Sequence, residues 1–243
     1  MGQETIKTAI DAYVNFSLEG KRVVLPYVLD QSRWRFWRSC GKGSPEEIKR
    51  EMKNALCNMK YDLNAMSEGE ISHFMRQHKL GVECSGFAFN VLNDYVRMTT
   101  GQPLTQQLLR YPGIIGHVEN LLLQYQRLRR ISADTLTSDL NTVPVQTARD
   151  VRPGDLIRLS PNDWCGKHVA VIVDNDGRTI KYAHSSRQTV EQGPHYGEIE
   201  ITEPDSGLEH QNWCEVSKDG QNYGKVALKV ENGDGVRRLK CLQ

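Results

Sequence analysis

Apolar residues recur at helical spacing through the first part of this chain and at alternate positions through the last part, with the change near residue 150. Ile6, Ala9, Ile10 and Tyr13 mark one face of a short helix, and Gly20 closes it before the extended run Val23-Val24-Leu25-Pro26-Tyr27. Two further helix starts share one signature. Ser44-Pro45-Glu46-Glu47 and Ser67-Glu68-Gly69-Glu70 are capping boxes, in which a serine hydroxyl and a glutamate satisfy free N–H groups of the first turn. The first predicts a helix with Ile48, Met52, Leu56, Met59 and Leu63 on its buried stripe and Cys57 beside it in the core; the second carries Ile71, Phe74, Met75 and His78. From Gly81 the spacing of Phe87, Val91, Tyr95 and Met98 predicts a helix that begins at or just after Cys84. Val118, Leu121, Leu122, Tyr125 and Leu128 form one more helical stripe, and residues 131–149 read as a polar connection.

Beyond Val151, short β-rich runs alternate with turn residues: 155–160, 168–174, 179–184, 197–202, 225–230 and 235–242. Helices followed by strands predict an α+β fold, an antiparallel sheet packed on the cysteine helix. The expected organisation is a helical N-terminal extension over 1–80 packed on the core, then a catalytic domain over 81–243 with a helical insertion at about 103–130.

Two stretches carry chemistry. In Gly81-Val-Glu-Cys-Ser-Gly-Phe87 a thiol stands at a helix start, where unpaired N–H groups and the helix dipole favour thiolate and can receive an oxyanion. A buried, inert cysteine is the competing reading of that segment. The second stretch is the hairpin of His168–Asp174 and Arg178–His184 around Asn175-Asp176-Gly177. A three-residue loop pairs Asp174 with Arg178 and sets His168 directly opposite His184 on one face, close enough for the rings to hydrogen-bond. One histidine would then orient the other.

Composition narrows the class. A net charge of +1 gives no electrostatic case for nucleic acid, so the aromatics Trp34, Phe36 and Trp37 among arginines read as anchors of a connecting segment, and Arg127, Arg129 and Arg130 as a solvated helix face. No apolar run approaches the roughly 20 residues of a membrane span, and no leader pattern opens the chain. The expectation is a cytoplasmic protein, or one exported by a non-standard route, with its six irregularly spaced cysteines reduced.

A helix-borne nucleophile, a strand-borne base and an orienting group on the next strand form the logic of thiol hydrolases. Glu83-Cys-Ser-Gly-Phe87, Val151-Arg-Pro-Gly-Asp-Leu156, His168-Val-Ala-Val-Ile-Val173 and His184-Ser-Ser186 resemble, in order, the motifs of the NlpC-type papain-like cysteine peptidases, with Glu83 where that family usually has aspartate. The resemblance implies a papain-like fold and cleavage of amide bonds in bacterial cell-wall peptides. It makes Cys84 the nucleophile, His168 the general base and His184 the orienting residue, with Tyr27 and Ser85 at the oxyanion and substrate site. No cofactor and no metal are expected, and the partner is a small peptide or amide. Acyl transfer through the same thioester is an alternative. A rival reading uses Cys165, His168, His210 and Cys214 as the ligands of a zinc-stabilised binding module.

Overall fold

Both serine-glutamate boxes close into reciprocal hydrogen bonds. In the computed structural model, which describes residues 2–29, 41–109, 113, 131–161 and 166–243, Ser44 caps α2 (Pro45–Met59) and Ser67 caps α3 (Glu68–Gln77), each accepting from the glutamate N–H three residues on. α1 spans Gly2–Val14 and α4 spans Cys84–Thr100, so the nucleophile candidate is the first residue of its helix. The aromatic segment at 34–38, the stripe at 118–128 with its arginines, most of the expected insertion, and Cys40 and Cys165 lie outside the described residues.

Seven strands form one antiparallel sheet: β3 (Thr142–Val145), β4 (Leu156–Leu159), β5 (His168–Asn175), β6 (Thr179–Ser186), β7 (Gly193–Glu200), β8 (Asn212–Trp213) and β9 (Gly235–Leu239). A separate two-stranded ribbon, β1 (Ser17–Leu18) and β2 (Lys21–Arg22), follows α1. The order across the large sheet is β3-β9-β4-β5-β6-β7-β8, so the last strand in sequence inserts between β3 and β4. The fold is α+β. Alternation along the strands divides the core into two layers. Leu156, Val169, Val171 and Ala183 join Ile6, Ile10, Phe87, Val91 and Ile71 on the helical side. Ile157, Ala170, Ile172, Ile180 and Tyr182 pack on the other side against Trp213 and Tyr223. Each fully buried aliphatic or aromatic side chain contributes roughly 1.5–3 kcal/mol, so the layer on the helical side is what fixes the sheet against α4.

Several expectations need correction. The run 225–230 is not a strand: Asn222 accepts from the Lys225 N–H and caps a short helix, Tyr223–Ala227. The stretch 131–149, expected to be a plain connection, holds the helix Ala133–Thr137 and β3. Cys57 is exposed rather than buried in the core, and Met98 lies 58% exposed at the outer edge of α4.

Candidate active site

Three backbone segments meet just ahead of Cys84. Val82 bridges to Tyr27 on one side and to Lys42 on the other, and the Glu83 N–H donates to the Gly41 carbonyl at 2.9 Å. This clamp requires a glycine one turn into the helix, because a Cβ on Gly86 would stand 2.4 Å from the Gly41 carbonyl oxygen. It also delivers Tyr27 to the side of the thiol. Tyr27, Cys84, Lys167, His168, Ser186 and Arg187 line one cleft.

The Cys84 side chain is buried, and the N–H groups of Ser85 and Val169 point at its sulfur. Burial pushes the thiol up to about 11, and the Glu83 carboxylate adds to the rise, while Lys42 and the two N–H groups oppose it. The expectation that the helix start leaves a thiolate is therefore reversed. Desolvation of the charge outweighs the dipole when the sulfur has so little contact with water. Burial also keeps the Tyr27 hydroxyl protonated, so it can donate.

Beneath the thiol lies a charged cluster that the sequence did not announce. Lys42 Nζ makes an ion pair with Glu83 and hydrogen bonds to Ser85 Oγ and, at 2.5 Å, to the Ile131 carbonyl. Ser85 Oγ in turn donates to Glu83 Oε1 at 2.6 Å. The Ser85 side chain thus faces this cluster, and it is the Ser85 backbone N–H that reaches the thiol.

The hairpin brings the two expected histidines together by a different register. His168 Nε2 and His184 Nδ1 are 2.8 Å apart, both rings buried. Val171 pairs with Ala183 and Ile172 with Tyr182, two residues away from the expected register, and a shift follows between Ile172 and Asp174. Next to the turn, where Asp176 Oδ1 accepts from the N–H groups of both Arg178 and Thr179, Asp174 pairs with Lys181 and Asn175 with Ile180, three residues from the expected register, and the irregularity between Ile172 and Asp174 takes one back. His184 consequently sits diagonal to His168, and its direct cross-strand partner is His195 on β7.

That partner, with Glu215, forms the rest of a buried polar group. His184 Nε2 lies 3.0 Å from His195 Nε2 and 3.1 Å from Glu215 Oε1, and His195 Nε2 lies 2.6 Å from the same oxygen. His195 Nδ1 donates to the Gly193 carbonyl at 2.8 Å, and the Tyr182 hydroxyl donates to Glu215 Oε2. Burial, and then the neighbouring His184, hold His168 well below the ordinary imidazole range. His184 is lowered as well, chiefly by burial. Burial opposes charge on His195 and Glu215 too, but the hydrogen bond and attraction of Glu215 raise His195, and His184 first, then His195, lower Glu215. Thiol and imidazole at the cleft both rest uncharged.

Of the rival zinc ligands, Cys165 lies outside the described residues, and the other three do not converge. His168 Nε2 is taken by His184, the His210 ring stands beside Glu203 and Glu209, and Cys214 is exposed. Among the described residues the ligand atoms that do converge are those of His184, His195 and Glu215. His195 was legible only as the alternating partner Pro194-His195-Tyr196 of a strand that begins four residues earlier than expected, and nothing local marks Glu215 or Lys42. Among the described residues no helix is long and apolar enough to cross a membrane. Compared with family models and with curated proteins, the sequence matches none.

Proposed function

We propose that this protein is a cysteine hydrolase of papain-like type that cleaves a peptide or peptide-like amide bond, such as one in a cell-wall peptide, through a thioester, as a cytoplasmic enzyme. The observation that carries the reading is the single cleft shared by Cys84, Tyr27 and His168, with His168 Nε2 held by His184 Nδ1 at 2.8 Å. That hydrogen bond leaves His168 Nδ1 as the ring atom able to take a proton. Because the thiol rests protonated, its proton passes to the imidazole as the sulfur attacks the carbonyl carbon, not beforehand. The oxyanion accepts from the Tyr27 hydroxyl and from the Ser85 N–H at the helix start. His168 returns the proton to the leaving amine, and water, deprotonated by the same ring, releases the acyl group from sulfur.

Incubation with cell-wall peptides and a panel of α-linked and γ-linked amides, read by product mass, tests the proposal. Cleavage is expected to vanish in Cys84→Ala and His168→Ala. His184→Asn, which can still bond the neighbouring ring, retains more activity than His184→Ala, whose loss is on the order of 10² or greater. Cleavage of none of these amides, or cleavage that survives Cys84→Ala, refutes the reading.

A further inference from the structure

The group behind His184 is arranged so that three ligand atoms point at one place and every other polar atom points away from it. His184 Nε2, His195 Nε2 and Glu215 Oε1 are separated by 3.0, 3.1 and 2.6 Å. On the outer side, His195 Nδ1 bonds the Gly193 carbonyl, Glu215 Oε2 accepts from the Tyr182 hydroxyl, and His184 Nδ1 meets His168 Nε2. Outer partners of this kind, a carbonyl or a second ring on each ligand's far atom, are what orient metal ligands.

A count of lone pairs shows what the centre can hold. With Nδ1 donating to the Gly193 carbonyl, His195 Nε2 can donate to Glu215 Oε1 only while the ring is an imidazolium. A divalent ion at the centre would take the place of that proton and of the one on His184 Nε2, leaving three lone pairs directed at one point. Neighbouring ligands about 2.1 Å from a metal stand about 3.0 Å apart at right angles, a value the three separations bracket. In the tetrahedron zinc prefers they stand about 3.4 Å apart, which the ligands would reach by parting about 0.3–0.8 Å. Two imidazoles and one carboxylate on one face suit zinc, iron(II) or a similar divalent ion, whereas magnesium and calcium prefer oxygen throughout. Thr189 Oγ1, buried and 3.3 Å from His195 Nε2, borders the remaining side.

We propose that His184, His195 and Glu215 bind a divalent transition metal ion. The binding is independent of the hydrolase reading; its consequence for turnover rests on that reading. A metal on His184 Nε2 obliges that ring to carry its proton on Nδ1 and donate it to His168 Nε2. His168 then keeps its own proton on Nδ1, the atom that would otherwise take the thiol proton. Bound metal therefore switches the base off from behind.

The test titrates zinc into the Cys84→Ala chain with exposed Cys57 and Cys214 also changed to serine, so that they do not compete, and reads bound metal after dialysis together with the melting temperature. One retained equivalent per chain and a raised melting temperature are expected. Tyr182→Phe, which removes only the outer hydrogen bond on Glu215, weakens binding by about 10–100-fold, and His195→Asn weakens it further. No retained zinc, with the three atoms sharing protons instead, overturns the proposal, as does zinc binding unchanged in both variants. In the wild-type chain one equivalent of zinc is expected to suppress amide cleavage and a chelator to restore it. A zinc-loaded chain that cleaves at full rate overturns the switch. Because binding is read in a chain that cannot turn over, its failure is separate from a failure of the hydrolase reading.

Discussion

Replacing Lys42 by methionine keeps the length of the stem and deletes the charge that faces Glu83. Both side chains of this pair are only 9% exposed, so the carboxylate left behind is cut off from water, and among the described residues the Ser85 hydroxyl at 2.6 Å is the donor that remains to it. Breaking a buried pair by removing one partner costs about 3–5 kcal/mol, whereas removing both charges costs far less. For a chain of this size that single loss lowers the melting temperature by about 10 °C. Glu83→Gln keeps an acceptor for Ser85, so Lys42→Met combined with Glu83→Gln is expected to recover at least about 2 kcal/mol of the cost. Urea denaturation of the two single variants and the double variant gives the coupling directly. A cost below about 1 kcal/mol for Lys42→Met, or costs that simply add in the double variant, refutes the reasoning. The same variant bears on the nucleophile, because the Lys42 charge lowers the Cys84 thiol and the Glu83 charge raises it. Lys42→Met should make the thiol harder still to ionise.

The thiol itself gives a pH prediction: since it is pushed up to about 11, alkylation of Cys84 should accelerate about tenfold per pH unit from 8 to 10, with exposed Cys57 and Cys214 reacting ahead of it at pH 8. Alkylation of Cys84 that has levelled off by pH 8 would show a thiolate and contradict the burial argument. Gly197→Ala drives a Cβ to 2.3 Å from the ring of fully buried Tyr182 and should cost about 1–3 kcal/mol by thermal melting. Gly69→Ala, in the first turn of α3 with nothing within 4 Å, should stabilise by up to about 1 kcal/mol, and equal effects at the two glycines would mean that the contact at Tyr182 is not as drawn.

Local signals were legible wherever a short stretch of chain determines its own structure. Ser44 and Ser67 announce α2 and α3 because a capping box is complete within four residues, and short β-rich runs flanked by turn residues announce β5 and β6, the near-continuous apolar character of β5 reflecting burial on both faces. The cysteine helix, the proximity of His168 to His184 and the approach of Tyr27 to Cys84 were likewise readable. What failed depends on contacts distant in sequence or on a turn's own chemistry. The loop around Asp176 moves the register by three residues and the irregularity between Ile172 and Asp174 returns one, so the net change of two keeps both histidines on one face and preserves their meeting while replacing their alignment. The β-rich composition of 225–230 concealed a helix because the deciding residue, Asn222, precedes it. Glu215 reaches the histidines from beside a strand of two residues, and Lys42 reaches Glu83 across 41 positions; no periodicity can encode either.

The placement of β9 governs how this sheet can assemble. Since β9 separates β3 from β4, neither of those earlier strands can find its permanent neighbour on that side until the ribosome has delivered the last strand in sequence. During synthesis β3 waits unpaired and β4 offers an open edge, which invites pairing with other chains. Closure also joins segments nearly a hundred residues apart, Thr142 with Leu239 among them, a topology that folds slowly. Production of this protein should therefore be limited by the interval before β9 arrives, and a chaperone that shields strand edges, or slower translation at low temperature, should raise the soluble yield more than any change to the cleft.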